Sequence, residues 1–215
     1  MCRFLLLTSD EPYDVQEVVE QFAGMCERST CLDGDWQGDG WGVAWWLDDA
    51  GWSLHRSLAP IWTEADYGRR LPPTRRLVVH ARAASFPEHK GELAFAQPYV
   101  HGPYAFVFNG LVAGVRPPRG VKIPGAIGAE KIWYLVRQRL EEGLGLEEAL
   151  AWVYGFLERR SRRIQACNMG LCDGRQAVSH NGNPTGHGYY QLRQAQRPGI
   201  RLISSEPFGD WPWRP

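Results

Sequence analysis

Four short stretches of the 215-residue chain carry residue types that could act together on an amide. MCRFLLL places Cys2 directly behind the initiator methionine. Methionine is normally trimmed ahead of a small residue, and loss of Met1 would leave a cysteine with a free α-amine of its own. That amine has a reference pKa of about 7.7–8.0, so it can take the thiol proton directly or through a water, and no histidine is required. FNG supplies Asn109 and Gly110. A side-chain NH2 beside a backbone N–H gives two donors for a developing oxyanion, and glycine lets a substrate approach the backbone closely. HARAAS sets Arg82 at the end of an apolar run, where its fork could grip a substrate carboxylate and fix which end of the molecule faces the thiol. GDGWG, residues 38–42, has loop composition. Each stretch alone also has a structural reading: a buried thiol at a strand end, a hairpin Asn-Gly, a salt-bridged strand arginine, a turn.

The elements that must position these residues follow from the hydrophobic pattern. CRFLLL reads as a buried strand and SDEPYD as a polar turn. Val15, Val18, Val19, Phe22 and Cys26 recur at helical spacing. GVAWWL and WSLHRSL, joined by DDAG, predict a hairpin. RRLVVHARAAS and YAFVFNGLVAGV read as further strands, the first apolar enough to be buried on both faces. AEKIWYLVRQRL and LEEALAWVYGFLERR, separated by EEGLG, predict an antiparallel helix pair, and the last third predicts a meander of strands with DWPWRP as a surface tail. Strands and helices come in blocks, which predicts an α+β architecture with largely antiparallel sheets.

Bulk properties narrow the function. Lys plus Arg and Asp plus Glu balance at 24 each, giving no basis for a nucleic-acid partner. The five cysteines lack zinc-type spacing and suit reduced thiols in a cytoplasm, and no apolar run is long enough for a membrane span. No nucleotide-binding glycine motif is present, and neither a metal nor another cofactor is expected. Length predicts one domain over 1–215.

In order, MCR, GDGWG, HARAAS, FVFNGLVAG, NMGLCDG and ISSEP resemble the class II glutamine amidotransferase domain, an N-terminal-nucleophile hydrolase, in its small stand-alone form. The resemblance implies a four-layer α/β/β/α sandwich of two mainly antiparallel sheets. It implies Cys2 as nucleophile with its α-amine as base, and Asn109 and Gly110 as oxyanion hole. Arg82 would bind an α-carboxylate with Ser85 beside it, and Gly40 and Trp41 would form pocket wall. Where the family typically carries an aspartate for the ammonium of glutamine, this chain has Gly128; the usual histidine before Asn-Gly is Phe108, and the usual His-Pro reads Gln97-Pro98. Losing that countercharge removes about 1.5–3 kcal/mol of charge-assisted hydrogen bonding. The expected activity is therefore hydrolysis of a γ-glutamyl or related side-chain amide whose amine is blocked or held differently. The alternatives are a non-catalytic ligand- or partner-binding relative, and a glutaminase subunit serving a separate synthase. Expected partners are a small-molecule amide and either a second copy of the chain or that synthase.

Overall fold

The apolar run behind Cys2 becomes an interior strand of a six-stranded sheet in a computed structural model, which describes residues 1–29, 31–32 and 34–215. Along the chain the elements are β1 (Arg3–Tyr13), α1 (Gln16–Glu27), β2 (Trp41–Leu47), β3 (Gly51–Ser57), β4 (Thr74–Ala81), β5 (Tyr99–His101) and β6 (Tyr104–Ala113). They continue with α2 (Gly128–Glu141), α3 (Leu146–Arg160), β7 (Arg163–Cys172), β8 (Ala177–Gly182), β9 (Arg193–Arg197) and β10 (Ile200–Ser204). The first sheet has the order β3-β2-β4-β1-β10-β9 and the second β5-β6-β7-β8, with every pairing antiparallel. Thr30 and Asp33, in the stretch leading to the GDGWG loop, lie outside the described residues.

Side-chain alternation along the strands sorts the core into layers. Leu5 and Leu7 of β1 pack with Val18, Val19 and Phe22 of α1 on one face of the first sheet. Phe4 and Leu6, one residue out of phase, meet Ala105 and Val107 of β6 between the sheets. Phe106 and Phe108 of β6 then pack outward against Ile132, Val136 and Leu150 of the helix pair. The result is the four-layer α/β/β/α sandwich. No helix is long and apolar enough to cross a membrane among the described residues.

Register brings three strand ends together. Arg3 of β1 and Trp41 of β2 both face Ala81 of β4 across the ladder. The residues that leave the sheet just beyond these pairs are therefore Cys2, Gly40 and Arg82.

Two expectations need correction. SDEPYD is no turn, because β1 continues to Tyr13, with a register shift between Thr8 and Tyr13 that takes Pro12 out of regular pairing. The strand end is tied to β4 and the β2–β3 turn by Arg75, which binds Glu11 at 2.8 Å and Asp48 at 2.7 Å. DWPWRP is no free tail either. Trp211 is buried in the α1-side core, and Arg214 exchanges backbone hydrogen bonds with Gln194 of β9, because two indoles bury more area than a tail can leave in water.

Candidate active site

Cys2 opens on a cavity of about 230 Å³ between the end of the first sheet, β6 and the start of α2. In phase with Phe4 and Leu6, its side chain is turned toward the second sheet. The thiol donates to the Ala83 carbonyl at 3.5 Å, and the Ala83 N–H donates to Sγ at 3.4 Å. Burial raises the thiol pKa, while the Ala83 N–H, the chain-terminal ammonium, Arg82 and Arg3 pull it back. A sulfur in this position stays protonated until a base removes its hydrogen.

Arg82 follows the last residue of β4 and is clamped by backbone bonds on both sides, its N–H to the Gly40 carbonyl at 2.8 Å and its carbonyl from the Asp39 N–H at 2.9 Å. Its Nη2 donates to the His89 carbonyl at 2.5 Å, whereas Nη1 is buried with no hydrogen-bond partner. Asp39 does not neutralise it; that carboxylate takes the Ala84 N–H at 2.8 Å and Lys90 at 2.9 Å. Arg82 is consequently the one permanently charged side chain lining the cavity among the described residues, and no carboxylate lines it. A buried guanidinium with an idle donor calls for an anion.

Asn109 and Gly110 sit inside β6, not in a hairpin turn. Asn109 lies opposite Asn168 of β7 and is in phase with Ala105 and Val107, so its carboxamide is turned to the layer between the sheets. It is buried, and Oδ1 has no hydrogen-bond partner. Asn109 does not itself line the 230 Å³ cavity, whereas Gly110 does. The Phe108 N–H points away from β7, to Gln97 Oε1 at 2.6 Å. Two residues on, the Gly110 N–H shares that direction and faces the cavity. Gly110 must be glycine, since a Cβ there would stand 2.1 Å from the Ala166 carbonyl oxygen.

Behind Cys2, a polar cluster fixes the chain start. The Arg3 side chain is fully buried; its Nε binds Glu206 at 2.7 Å, Nη2 binds Asp35 at 3.2 Å, and Nη1 reaches the Cys2 carbonyl at 3.3 Å. Its guanidinium also lies over the Tyr189 ring, and the Tyr189 hydroxyl donates to Asp35 at 2.6 Å. The Met1 ammonium is 3.0 Å from Asp35. Nothing in the spacing of Arg3, Asp35, Glu206 and Tyr189 along the sequence marks them as a cluster. MCR and ISSEP carry Arg3 and Glu206, but only the fold, which sets β10 beside β1, joins them.

The other expected site residues divide. Ser85 lines the cavity at its exposed edge. Gly40 and Trp41 do not line it. Trp41 belongs to the α1-side core and donates its indole N–H to Glu64 at 2.7 Å, while Gly40 takes φ +107° where a Cβ would stand 2.8 Å from the Ser57 carbonyl. Their part is to turn the GDGWG loop onto Arg82. Phe108 and Gly128 both line the cavity. His80 is buried in β4, and burial pushes its pKa down to about 3, only partly countered by the Phe108 backbone, so it is neutral near pH 7.

No family model matches the sequence, and no curated protein matches it. Solved structures do. A glutamine aminotransferase class-II domain protein from Silicibacter pomeroyi superposes with a TM-score of 0.61 at 14% identity, over 100% of this chain and 91% of that one. A predicted glutamine amidotransferase from Pseudomonas aeruginosa gives 0.54 at 15% identity, over 99% and 94%. The glutamine phosphoribosylpyrophosphate amidotransferase of B. subtilis gives 0.63 at 11% identity, over 98% of this chain and 45% of that longer one. The chain thus has the fold that these class II glutamine amidotransferase structures share.

Proposed function

We propose that the protein is an N-terminal-nucleophile cysteine amidohydrolase that cleaves the side-chain amide of a γ-glutamyl-type substrate bearing a carboxylate but no free ammonium. With Met1 removed, the α-amine of Cys2 takes the thiol proton and Sγ attacks the amide carbonyl. Asn109 and the Gly110 N–H hold the oxyanion, the C–N bond breaks, and the amine leaves with the proton. Water then hydrolyses the thioester and restores the thiol. Arg82 grips the substrate carboxylate through its idle Nη1.

The observation that carries this reading is the charge of the cavity, one guanidinium and no acid among the described lining residues, beside a thiol. Free glutamine would bring an ammonium into a site where no described residue supplies a countercharge. The acid at the start of α2, Glu130, is engaged by the Ala126 N–H at 2.7 Å and the Ile127 N–H at 3.3 Å. The test is ammonia or amine release from a panel of γ-glutamyl amides, amine-blocked glutamines and free glutamine, with Cys2→Ala as control. Thiol-dependent turnover of blocked amides with little turnover of glutamine is expected. Fast glutamine hydrolysis contradicts the substrate assignment, and turnover that survives Cys2→Ala contradicts the mechanism.

A further inference from the structure

A second cavity of about 570 Å³ adjoins the first along α2, and the two share Val112, Gly128 and Ile132 as wall. Beyond that wall the second space is mainly apolar, formed by Val115, Val121, Ile123, Leu135 and Leu157, with Lys122 and Lys131 also on its lining. Gly128 is the thin point. It presents no side chain, and a Cβ placed on it would meet nothing within 4 Å. The place where an ammonium would need a carboxylate is therefore open, has no carboxylate among the described lining residues, and lies next to a mainly apolar groove whose two charges are lysines.

We infer that the substrate is an N-acylated glutamine or close analogue whose apolar acyl chain runs past Gly128 into this groove. The inference rests on the hydrolase reading for the amide it places at Cys2. Acylation turns the α-nitrogen into a neutral amide that needs no countercharge, leaving the carboxylate for Arg82 and the side-chain amide for the thiol. The chain gains by leaving water. In the reaction the bond from Cys2 Sγ to the side-chain carbonyl carbon forms, the C–N bond breaks, and ammonia leaves with the thiol proton. Water then adds, the S–C bond breaks, and N-acylglutamate is released.

Calorimetry on the Cys2→Ala protein with N-acetyl-, N-butanoyl-, N-hexanoyl- and N-octanoylglutamine tests the groove independently of catalysis. Affinity should tighten roughly ten-fold for each two methylenes buried, levelling off when the groove is full. Val121→Glu and Ile123→Glu should flatten the series. Equal affinity for the acetyl and octanoyl compounds overturns the inference. So does an absence of binding throughout, a gradient that survives both variants, or an equal gradient with the free fatty acids. Ammonia release by the unmodified protein separates the two claims. Turnover with a flat series removes the groove and leaves the hydrolase, whereas a graded series without ammonia removes the hydrolase and leaves the groove.

Discussion

The Gln97 side chain holds the backbone of Phe108 at both ends, accepting from its N–H at 2.6 Å and donating to its carbonyl at 3.2 Å. β5 pairs with β6 only as far as Phe106, so the carboxamide of Gln97 takes over where the strand partner ends, one residue before Asn109. A side chain thus sets the course of the backbone that leads into the donors proposed for the oxyanion.

Gln97→Ala should leave two buried backbone groups unpaired, each costing about 1–3 kcal/mol. Gln97→Glu keeps the acceptor for the Phe108 N–H but sets an oxygen against the Phe108 carbonyl. Both variants should lose stability in urea titration. If Gln97 positions the donors, kcat should fall at least ten-fold while KM changes little; a loss confined to KM would show that Gln97 acts on substrate binding instead.

Gly128→Asp should convert the specificity. The added side chain has room, and its carboxylate would supply the missing countercharge for an ammonium. A regained charge-assisted bond of about 1.5–3 kcal/mol corresponds to roughly a 10- to 150-fold gain in kcat/KM for free glutamine. Amine-blocked amides should become poorer substrates. No gain on glutamine would mean that position 128 does not see the α-nitrogen.

His80 predicts a pH effect on stability, not on catalysis. Its folded pKa of about 3 lies below the unfolded value near 6.5, so the unfolded chain binds more protons across that interval. The associated stability is complete above about pH 6.5 and is lost as pH falls toward 3. At pH 4.5 the loss from this group is about 2–3 kcal/mol. Denaturant midpoints at pH 7 and 4.5 should therefore differ less in His80→Leu than in the unmodified protein. The alkaline-rising limb of kcat/KM, assigned to the Cys2 amine, should stay where it is; a shift of that limb in the variant would make His80 part of the base.

The ordered motifs make the fold legible, and with it which candidate residues share a cavity. Cys2, Arg82, Ser85 and Gly110 meet at one cavity because β1 and β4 end in register and β6 crosses above them. The motif alone misplaces Trp41, because it says loop while strand parity decides which face the indole takes; one residue separates the cavity side from the α1-side core. Arg3 with Glu206 and Gln97 with Phe108 depend on pairings 203 and 11 residues apart that periodicity does not encode. The segment around the buried Trp211 reads as a tail because its two prolines and Arg214 resemble surface chain, and only contact with α1 reveals its burial.

The central claim is that the mature chain begins at Cys2 and carries the acyl group on its thiol. Intact-mass spectrometry of the purified protein, followed by acid quench during turnover of an N-acylglutamine and peptide mapping, measures both. The account predicts a mass lacking one methionine and a single acyl adduct on the N-terminal peptide, absent in Cys2→Ala. Met1 retained across the population, or an adduct on any other residue, would contradict it.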